Sequence, residues 1–277
     1  MRHPLCIYHG NCADGFSAAW VFWHHSAGHA IYDFHAGVYQ DPPPDVDDRR
    51  VYMVDFAYKL PVMEEIIRRA QSVTLLDHHK SAIDDLAPLR YKLDWRCDIE
   101  HSGAMLAWRY CYGPKEPPAL LRHVEDRDLW RFKLEGTREI QAALFSYHYD
   151  FELWERLMMG TPIETLRAEG VAIERKHWKD VRELVAVTRH LREIGGYIVP
   201  CASLPYTLTS DAGHMMAKGE PFAACYWDTP EGRVYSLRST DEGLDVSEIA
   251  KQYGGGGHRN ASGFRVPYNH ELAGPPA

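Results

Sequence analysis

The sequence predicts an α/β fold whose main sheet is mostly parallel, and three observations lead to that prediction. Short apolar, β-branched runs alternate with amphipathic helical runs over residues 5–80, which is the pattern of parallel strands joined by crossover helices. Several of these runs end abruptly in His or Asp, as strands do where their carboxyl ends form a site. After Gly195-Gly196 the pattern changes to strand, turn and strand, which favours a second lobe.

The elements of the N-terminal part follow from this periodicity. Pro61 at the first turn and the spaced apolar Met63 and Ile66 favour a helix over 60–70. Ser102 is the predicted N-cap of a helix over 101–112. The predicted strands are 5–8, 30–34, 51–54 and 73–76, and the further predicted helices are 16–27 and 117–126.

The C-terminal part begins with a long charged stretch, 164–194, that is predicted as a helix connecting two lobes. Gly195-Gly196 would stop it. Residues 222–226 and 234–238 flank the turn 228–232 and predict a hairpin. A short helix over 245–253 is predicted to begin near Asp245, and the tail from Tyr268 is predicted to be frayed.

Composition limits the classes of function. The chain has 277 residues, 45% of them hydrophobic, which suits one large domain or two modest ones. A formal net charge of -8 disfavours binding of long duplex nucleic acid. No apolar run is long enough to span a bilayer. The six scattered Cys and the absence of a signal-peptide pattern predict a cytoplasmic protein with reduced thiols.

Residues that commonly bind metals stand at the ends of three predicted strands. Parallel strands place their carboxyl ends on one edge, so these side chains would converge, and crowded carboxylates repel one another unless a cation lies among them. A mixed set of His and carboxylate ligands suits Mn²⁺ or another transition ion better than Ca²⁺. The alternative is three unrelated, exposed loop ends. The residues are His9 and Asp14, then Asp55, then Asp77, His78 and His79.

Two other segments carry chemistry. The acidic cluster 125–128 either supplies another metal ligand or is a salt-bridged helix end on the surface. The run Gly254 to Gly257, followed by His258 and Arg259, predicts an anion pocket, because glycine lets backbone amides turn toward an anion and Arg adds charge-assisted hydrogen bonds. Its alternative is a flexible loop. Arg238 is either a second clamp on the anion or an exposed strand charge.

In these motifs and their order, from Leu5 to about Val266, the chain resembles the DHH phosphoesterase superfamily with the DHH-associated C-terminal domain. The resemblance implies a doubly wound N-terminal domain and a smaller mixed α/β C-terminal domain. It implies hydrolysis of phosphodiester or phosphoanhydride bonds, with Mn²⁺ held in the interdomain cleft. The branch with this layout includes RecJ-like exonucleases, nanoRNases and cyclic-dinucleotide phosphodiesterases. The expected domains are 1–160 (catalytic), 161–195 (linker helix), 196–267 (substrate-binding) and 268–277 (tail).

The resemblance also implies residue roles. Asp55 would bridge two metal ions, Asp77 would support the site, and His79 would face the scissile phosphate. Asp126 would be the fourth-motif metal ligand, with Asp128 as the alternative. The remaining metal ligands would be His9, Asp14 and His78, and Gly255, Gly256, Gly257 and His258 would match the substrate-binding motif. The anion-pocket prediction adds Arg259 and Arg238 to the substrate-binding residues.

One position departs from the superfamily pattern. The first motif commonly offers two Asp separated by one residue, and here Cys12 stands at the first of them. Thiolate binds Mn²⁺ poorly and prefers softer ions. Either one metal position is altered, or Cys12 is a small buried residue without a metal role.

The expected function is therefore a metal-dependent phosphodiesterase. It would hydrolyse short oligonucleotides or dinucleotides to nucleoside monophosphates, using two Mn²⁺, with Mg²⁺ or another divalent ion as the alternative. Two alternatives remain. One is a phosphatase acting on nucleoside bisphosphates, polyphosphate or pyrophosphate, and the other is a catalytically silent nucleotide-binding protein.

Overall fold

The computed structural model describes residues 2–27, 31–39 and 41–274. The chain divides into two compact units, Met1–Glu174 and Arg175–Ala277. The division falls inside the long helix α8, Ile163–Thr188. Among the described residues, none of the helices combines the length and the apolar character needed to cross a bilayer.

Unit 1 is built on a five-stranded, fully parallel sheet with the strand order β2-β1-β3-β4-β5. The chain adds β2 on one side of β1 and β3 on the other, so the winding direction reverses between β1 and β3. Ligand sites of doubly wound sheets lie at this switch point, beyond the carboxyl ends of the strands. The strands are β1 Leu5–His9, β2 Asp33–Gly37, β3 Arg50–Val54, β4 Ser72–Leu76 and β5 Asp94–Trp95.

Two apolar cores of unit 1 hold helices against this sheet. One core contains Trp20, Trp108 and Trp154, and the other contains Met53, Met63 and Leu75. The predicted α/β class and the doubly wound character of the N-terminal sheet are therefore confirmed. The helices are α1 Ala13–His25, α2 Leu60–Arg69, α3 Lys80–Leu86, α4 Gly103–Tyr112, α5 Ala119–Asp128, α6 Thr137–Leu144, α7 Phe151–Glu155 and α8.

The local predictions hold to within a few residues, with two differences in unit 1. The strand predicted over 30–34 is found at Asp33–Gly37, and Ala30 lies outside the described residues. The helix predicted over 16–27 begins earlier, at Ala13, and so includes Asp14 in its first turn. Ser102 caps α4 as predicted, because its side chain accepts from the Met105 amide at 3.4 Å.

The prediction that one helix runs from 164 to 194 is wrong in its last part. Helix α8 ends at Thr188, and His190–Ile194 forms strand β6, antiparallel to β7, Tyr197–Ser203. Gly195 and Gly196 have φ values of 61° and 83°, so they form the tight turn of this hairpin instead of stopping a helix. Burial alternates along the strand, with Arg192 and Ile194 turned inward, which is a period of two.

Unit 2 contains a six-stranded mixed sheet with the order β10-β11-β9-β8-β7-β6. Among its described strands, β7 and β8 pair in parallel and the other neighbours are antiparallel. The predicted hairpin is confirmed as β8–β9, and Asp245 caps α10 by accepting from the Ser247 amide at 3.0 Å. The remaining elements are α9 Thr209–Met216, β8 Ala223–Thr229, β9 Gly232–Arg238, α10 Val246–Lys251, β10 Gly256–His258 and β11 Ala261–Val266.

The prediction of a frayed tail is wrong for the described part, up to residue 274. Tyr235 donates its hydroxyl to the Leu272 carbonyl at 2.7 Å, and Arg192 donates to the Glu271 carbonyl at 3.0 Å. Leu272 is buried in the core of unit 2. The segment therefore covers one side of that core.

Gly170 of α8 gives a test of the packing in unit 1. A Cβ added there would lie 1.7 Å from the Glu139 carbonyl oxygen, so Gly170→Ala must push α8 away from α6. We expect the free energy of unfolding to fall by about 1–3 kcal/mol, measured by urea unfolding. Gly160→Ala is the control, because its Cβ would meet nothing within 4 Å. Equal unfolding midpoints for the two variants would contradict this packing.

Candidate metal centre

Four of the five predicted metal ligands come together near the carboxyl ends of β1, β3 and β4, and Asp126 does not. His9 is the last residue of β1, Asp55 directly follows β3, and His78 lies two residues beyond β4. These three strands are neighbours in the sheet, so residues far apart in sequence meet at its switch point. Asp55 has a φ of 57°, a left-handed conformation that costs about 1–2 kcal/mol in a residue other than glycine and is common at functional sites.

Asp55 is at the centre of this cluster. Its Oδ1 lies 3.0 Å from Nε2 of His78, and its Oδ2 lies 3.5 Å from Nδ1 of His9. The side chain is only 1% exposed. The two oxygens of one buried carboxylate therefore face two different imidazoles, which is the arrangement that a bridging ligand requires.

Asp14 reaches the cluster from the first turn of α1. Its Oδ2 lies 4.0 Å from His78 Nε2, and its carboxylate accepts from the Ala104 amide at 3.2 Å. Ala104 is in the first turn of α4, so a helix N-terminus points at this carboxylate and stabilises its charge. Gly103 permits the approach, since a Cβ there would lie 2.4 Å from Cβ of Asp55.

Asp77 orients the two histidines that follow it. Its Oδ1 accepts from the backbone amides of His78 at 2.8 Å and His79 at 3.1 Å, and it lies 2.7 Å from Nδ1 of His79. The ring of His79 is thereby fixed beside the cluster, with Nδ1 3.9 Å from Oδ1 of Asp55. The supporting role of Asp77 in the reaction stays a prediction.

The structure places Asp128, not Asp126, at the cluster. Asp128 Oδ2 lies 3.4 Å from His78 Nε2. The carboxylate of Asp126 is occupied elsewhere, because it accepts from the Lys133 amide at 2.8 Å and the Thr137 hydroxyl at 2.6 Å. The geometry therefore favours the alternative ligand, and it gives Asp126 the role of holding the loop that follows α5.

The electrostatics of the cluster favour positive charge. Burial alone would lower the pKa of His78, but the hydrogen bond to Asp55 and the charges of Asp128 and Asp14 override it and raise the pKa to about 10. Burial and then the charges of Asp55 and Asp128 raise the pKa of Asp14 well above its usual value. Carboxylates crowded in this way would ionise together most readily around a cation.

The donors present fit divalent cations. Asp55 Oδ2, Asp128 Oδ2 and His9 Nδ1 are buried polar atoms that make no hydrogen bond among the described residues, and such groups are costly unless they bind something. Two sets of three ligand atoms, each set within 4.8 Å, share Asp55: one is His9, Asp55 and His79, and the other is Asp14, Asp55 and His78. Nitrogen and carboxylate donors suit Mn²⁺ and similar ions.

Cys12 is not a member of either set. It is half-buried at the N-cap of α1 and makes no side-chain cap. Burial and then the charges of Asp55 and Asp128 raise the pKa of its thiol well above the usual value. The raised pKa disfavours the thiolate form that would bind a metal ion.

The glycine segment of unit 2 is an edge hairpin and not a loop. Gly256 pairs with Gly263 and Gly257 with Ser262. A Cβ on Gly255 would lie 2.1 Å from the Gly263 carbonyl oxygen, and Gly257 has a φ of 141°. Backbone packing and conformation therefore explain why at least two of these positions are glycine, so the hairpin geometry alone does not require a bound anion.

The basic residues predicted beside the glycines are held by local contacts. Arg259 is exposed and donates to Oδ1 of Asn260 at 2.8 Å and to the Gly243 carbonyl at 3.2 Å. Arg238 is half-buried and donates to the hydroxyl of Ser210 at 2.8 Å. The His258 carbonyl accepts from Ser262 at 2.7 Å. Arg259 is thus the more accessible cation of the two.

Sequence reasoning missed Gly103 and the Ala104 amide. Both act through the first turn of α4, which lies almost 90 residues from Asp14 in the chain and is brought to it only by tertiary packing. A local signal did exist: the N-cap Ser102 is followed by two of the smallest residues, which is the composition of a helix start that must approach another group closely.

Comparison with known sequences and structures adds one relative and several structural neighbours. The chain is 31% identical, over 94% of its length, to the uncharacterized protein R106 of Acanthamoeba polyphaga mimivirus, and it spans 66% of the length of that relative. No protein-family profile matches the chain.

Two solved structures share the architecture at low sequence identity. The pGpG-specific phosphodiesterase PggH of Vibrio cholerae is 15% identical with a TM-score of 0.50, covering 96% of this chain and 94% of PggH. RecJ of Thermus thermophilus in complex with Mn²⁺ is 13% identical with a TM-score of 0.52, covering 98% of this chain and 50% of RecJ. Both are DHH superfamily members. The chain therefore shares the α/β fold of these two proteins, which is the fold that the resemblance implied.

Proposed function

We propose that the protein is a metal-dependent phosphodiesterase that hydrolyses short oligonucleotides or dinucleotides to nucleoside monophosphates. The observation that carries the proposal is the pair of ligand sets sharing Asp55. A centre of two divalent ions supplies an activated water and neutralises phosphoryl charge. The two neighbours above, a dinucleotide phosphodiesterase and an Mn²⁺-bound RecJ, support this substrate class and Mn²⁺ as the ion, with Mg²⁺ as the alternative.

The chain's own residues would act as follows. Asp55, Asp14, His9, His78 and Asp128 would hold the ions. His79 lies within the His9–Asp55 set but would face the substrate beside it. The charge of Asp77 and its hydrogen bond outweigh burial and raise the pKa of His79, so its imidazole stays protonated to higher pH. Because Nδ1 is held by Asp77, His79 would bind or protonate the transferring phosphoryl group through Nε2.

Unit 2 would bind the substrate. Arg259 and the amides of Gly255, Gly256 and Gly257 would contact a phosphate, and His258 and Arg238 would complete the binding segment. The support is the exposure of Arg259 at the end of the glycine hairpin. Arg238 would act more by ordering this region, since it already bonds Ser210 and Ser236.

A substrate panel tests the activity directly. A linear dinucleotide, a short RNA, a cyclic dinucleotide, a nucleoside bisphosphate, pyrophosphate and tripolyphosphate are each incubated with Mn²⁺ and with EDTA. We expect Mn²⁺-dependent release of nucleoside monophosphates, abolished by His78→Ala or Asp55→Ala, since each change removes a buried ligand. His148→Ala is the control, because His148 is exposed. Full turnover by His78→Ala, or release of phosphate alone, would overturn the phosphodiesterase.

Substitutions of Asp128 and Asp126 are expected to change different properties of the protein. Asp128→Asn should weaken Mn²⁺ binding about tenfold to a hundredfold with little change in the free energy of unfolding, because it removes a ligand. Asp126→Asn should lower that free energy by about 1–3 kcal/mol, since a carboxylate bonded to Thr137 and two amides is lost. Calorimetric Mn²⁺ titration and urea unfolding separate them. The reverse pattern would assign the ligand to Asp126.

Arg259→Ala should raise KM for a dinucleotide about tenfold while kcat changes little, because one charge-assisted hydrogen bond to a phosphate is worth about 1.5–3 kcal/mol. Lys218→Ala is the control, since Lys218 is exposed in the same unit. Steady-state kinetics on the dinucleotide give both constants. An unchanged KM would remove Arg259 from the substrate-binding set.

A further inference from the structure

Unit 1 contains a basic concavity that the proposed chemistry does not use. It lies between α4, α5 and the loop after α5 and has a volume of about 450 Å³, within the range of small-molecule sites. Five cationic side chains line it against three carboxylates, although the whole chain carries a net charge of -8. The cations are Arg109, Lys115, Arg122, Arg131 and Lys133.

The three carboxylates of the concavity are already engaged. Glu125 lies 2.8 Å from Nδ1 of His101, and Asp126 accepts from Thr137 at 2.6 Å. Glu116 lies 3.1 Å from Arg122. Arg131 is also paired, with Glu100 at 3.7 Å. Arg109, Lys115 and Lys133 are exposed, and together they give the concavity a positive potential that attracts anions.

The concavity adjoins the metal centre through two shared helices. Helix α4 begins at Gly103 against Asp55, and its next turns line the concavity as far as Arg109. At 1.5 Å rise per residue, Arg109 is about 9 Å along the axis from Gly103. Helix α5 lines the concavity with Arg122 and ends at the metal-facing Asp128. Arg109 and Arg122 are therefore each about 9 Å, along their helix axes, from a residue at the metal centre.

The loop that carries Arg131 and Lys133 is held in a strained conformation. Trp130 occupies the C′ position of a Schellman motif, with the Arg131 amide bonded to the Asp126 carbonyl at 2.8 Å. The φ of Trp130 is 55°, and that of Phe132 is 48°. Glycine is the usual residue in this left-handed conformation, and any other residue destabilises the backbone by about 1–2 kcal/mol. Such strain persists where surrounding contacts impose it, and it clusters at binding sites.

Aromatic and cationic side chains keep that loop in place. The guanidinium of Arg138 lies 3.8 Å from the centre of the Phe132 ring, and that of Arg127 lies 5.1 Å from the Trp130 ring. The Asp126 carboxylate accepts a hydrogen bond from the Lys133 amide. The backbone that presents the two cations is thus ordered in advance, which lowers the entropic cost of binding an anion.

We propose that this concavity is a subsite for the phosphodiester backbone of a single-stranded oligonucleotide whose end lies at the metal centre. The inference rests on the proposed function and makes it narrower: oligonucleotides of several residues are preferred over dinucleotides, because only the longer chain reaches the cations. Phosphates held by Arg and Lys give affinity without sequence preference.

The test compares chain lengths in a charge-reversed variant. Arg109→Glu with Lys133→Glu changes one cation on α4 and one on the loop. Arg90→Glu with Lys92→Glu is the matched control, since it changes net charge equally at exposed positions outside the concavity. The kcat/KM for a pentanucleotide divided by that for a dinucleotide should fall about tenfold or more in the first variant and stay at the wild-type value in the control.

Binding provides a second readout that a merely structural role would not change. Anisotropy of a fluorescein-labelled pentanucleotide is measured in EDTA from 50 to 300 mM salt. Losing two phosphate contacts should reduce the slope of log K against log salt by about 1.4. An unchanged slope and an unchanged ratio would overturn the subsite while hydrolysis stands. If the wild type hydrolyses no substrate but the salt slope of its binding is reduced in the charge-reversed variant, the proposed function fails and the anion site remains.

Discussion

The burial of several carboxylates beside one imidazole is the constraint on which the rest of unit 1 depends. Asp14, Asp55 and Asp128 all lie within 4.0 Å of His78 Nε2, and Asp14 and Asp55 are almost completely buried. Like charges at such distances cannot all ionise without compensation. Three features supply or favour positive charge beside these carboxylates. They are the raised pKa of His78, the helix N-terminus at Asp14 and a set of donors suited to divalent ions.

The fold meets this need with backbone geometry as much as with side chains. The reversal of winding between β1 and β3 opens the edge of the sheet where His9 and Asp55 stand. Gly103 then lets α4 come close enough for its amide to bond Asp14. A larger residue at Gly103 would displace Asp55 itself. The site is therefore inseparable from the packing of α4 on the sheet, which also places α4 along the basic concavity.

The part of the site that sequence predicts is the part built locally. When a predicted strand is followed directly by Asp-His-His or by a single Asp, the sequence predicts both the polar side chain and its position at the edge of the sheet. His9, Asp55, His78 and His79 are found at the strand ends where this pattern predicts them. The choice between Asp126 and Asp128 depended on which carboxylate α5 turns toward β4, and on Thr137 bonding the other. Neither is visible in spacing. The sequence does not predict the strand at 190–194, because its charged residues resemble those of the preceding helix. The alternation of buried and exposed side chains is seen only once the strand pairs with β7.

The loop after α5 shows how these constraints extend from chemistry to substrate choice. Asp128, the last residue of α5, faces His78 in the candidate metal centre, and Asp126 of the same helix holds the backbone that carries Arg131 and Lys133. A helix end that placed glycine at residue 130 would relax the strain of about 1–2 kcal/mol but would lose the ring stacked with Arg127. The chain keeps Trp130 there. Asp128 and the loop that carries Arg131 and Lys133 are thus joined at one helix end, so a substrate that contacted these cations would be positioned by the same element that positions Asp128.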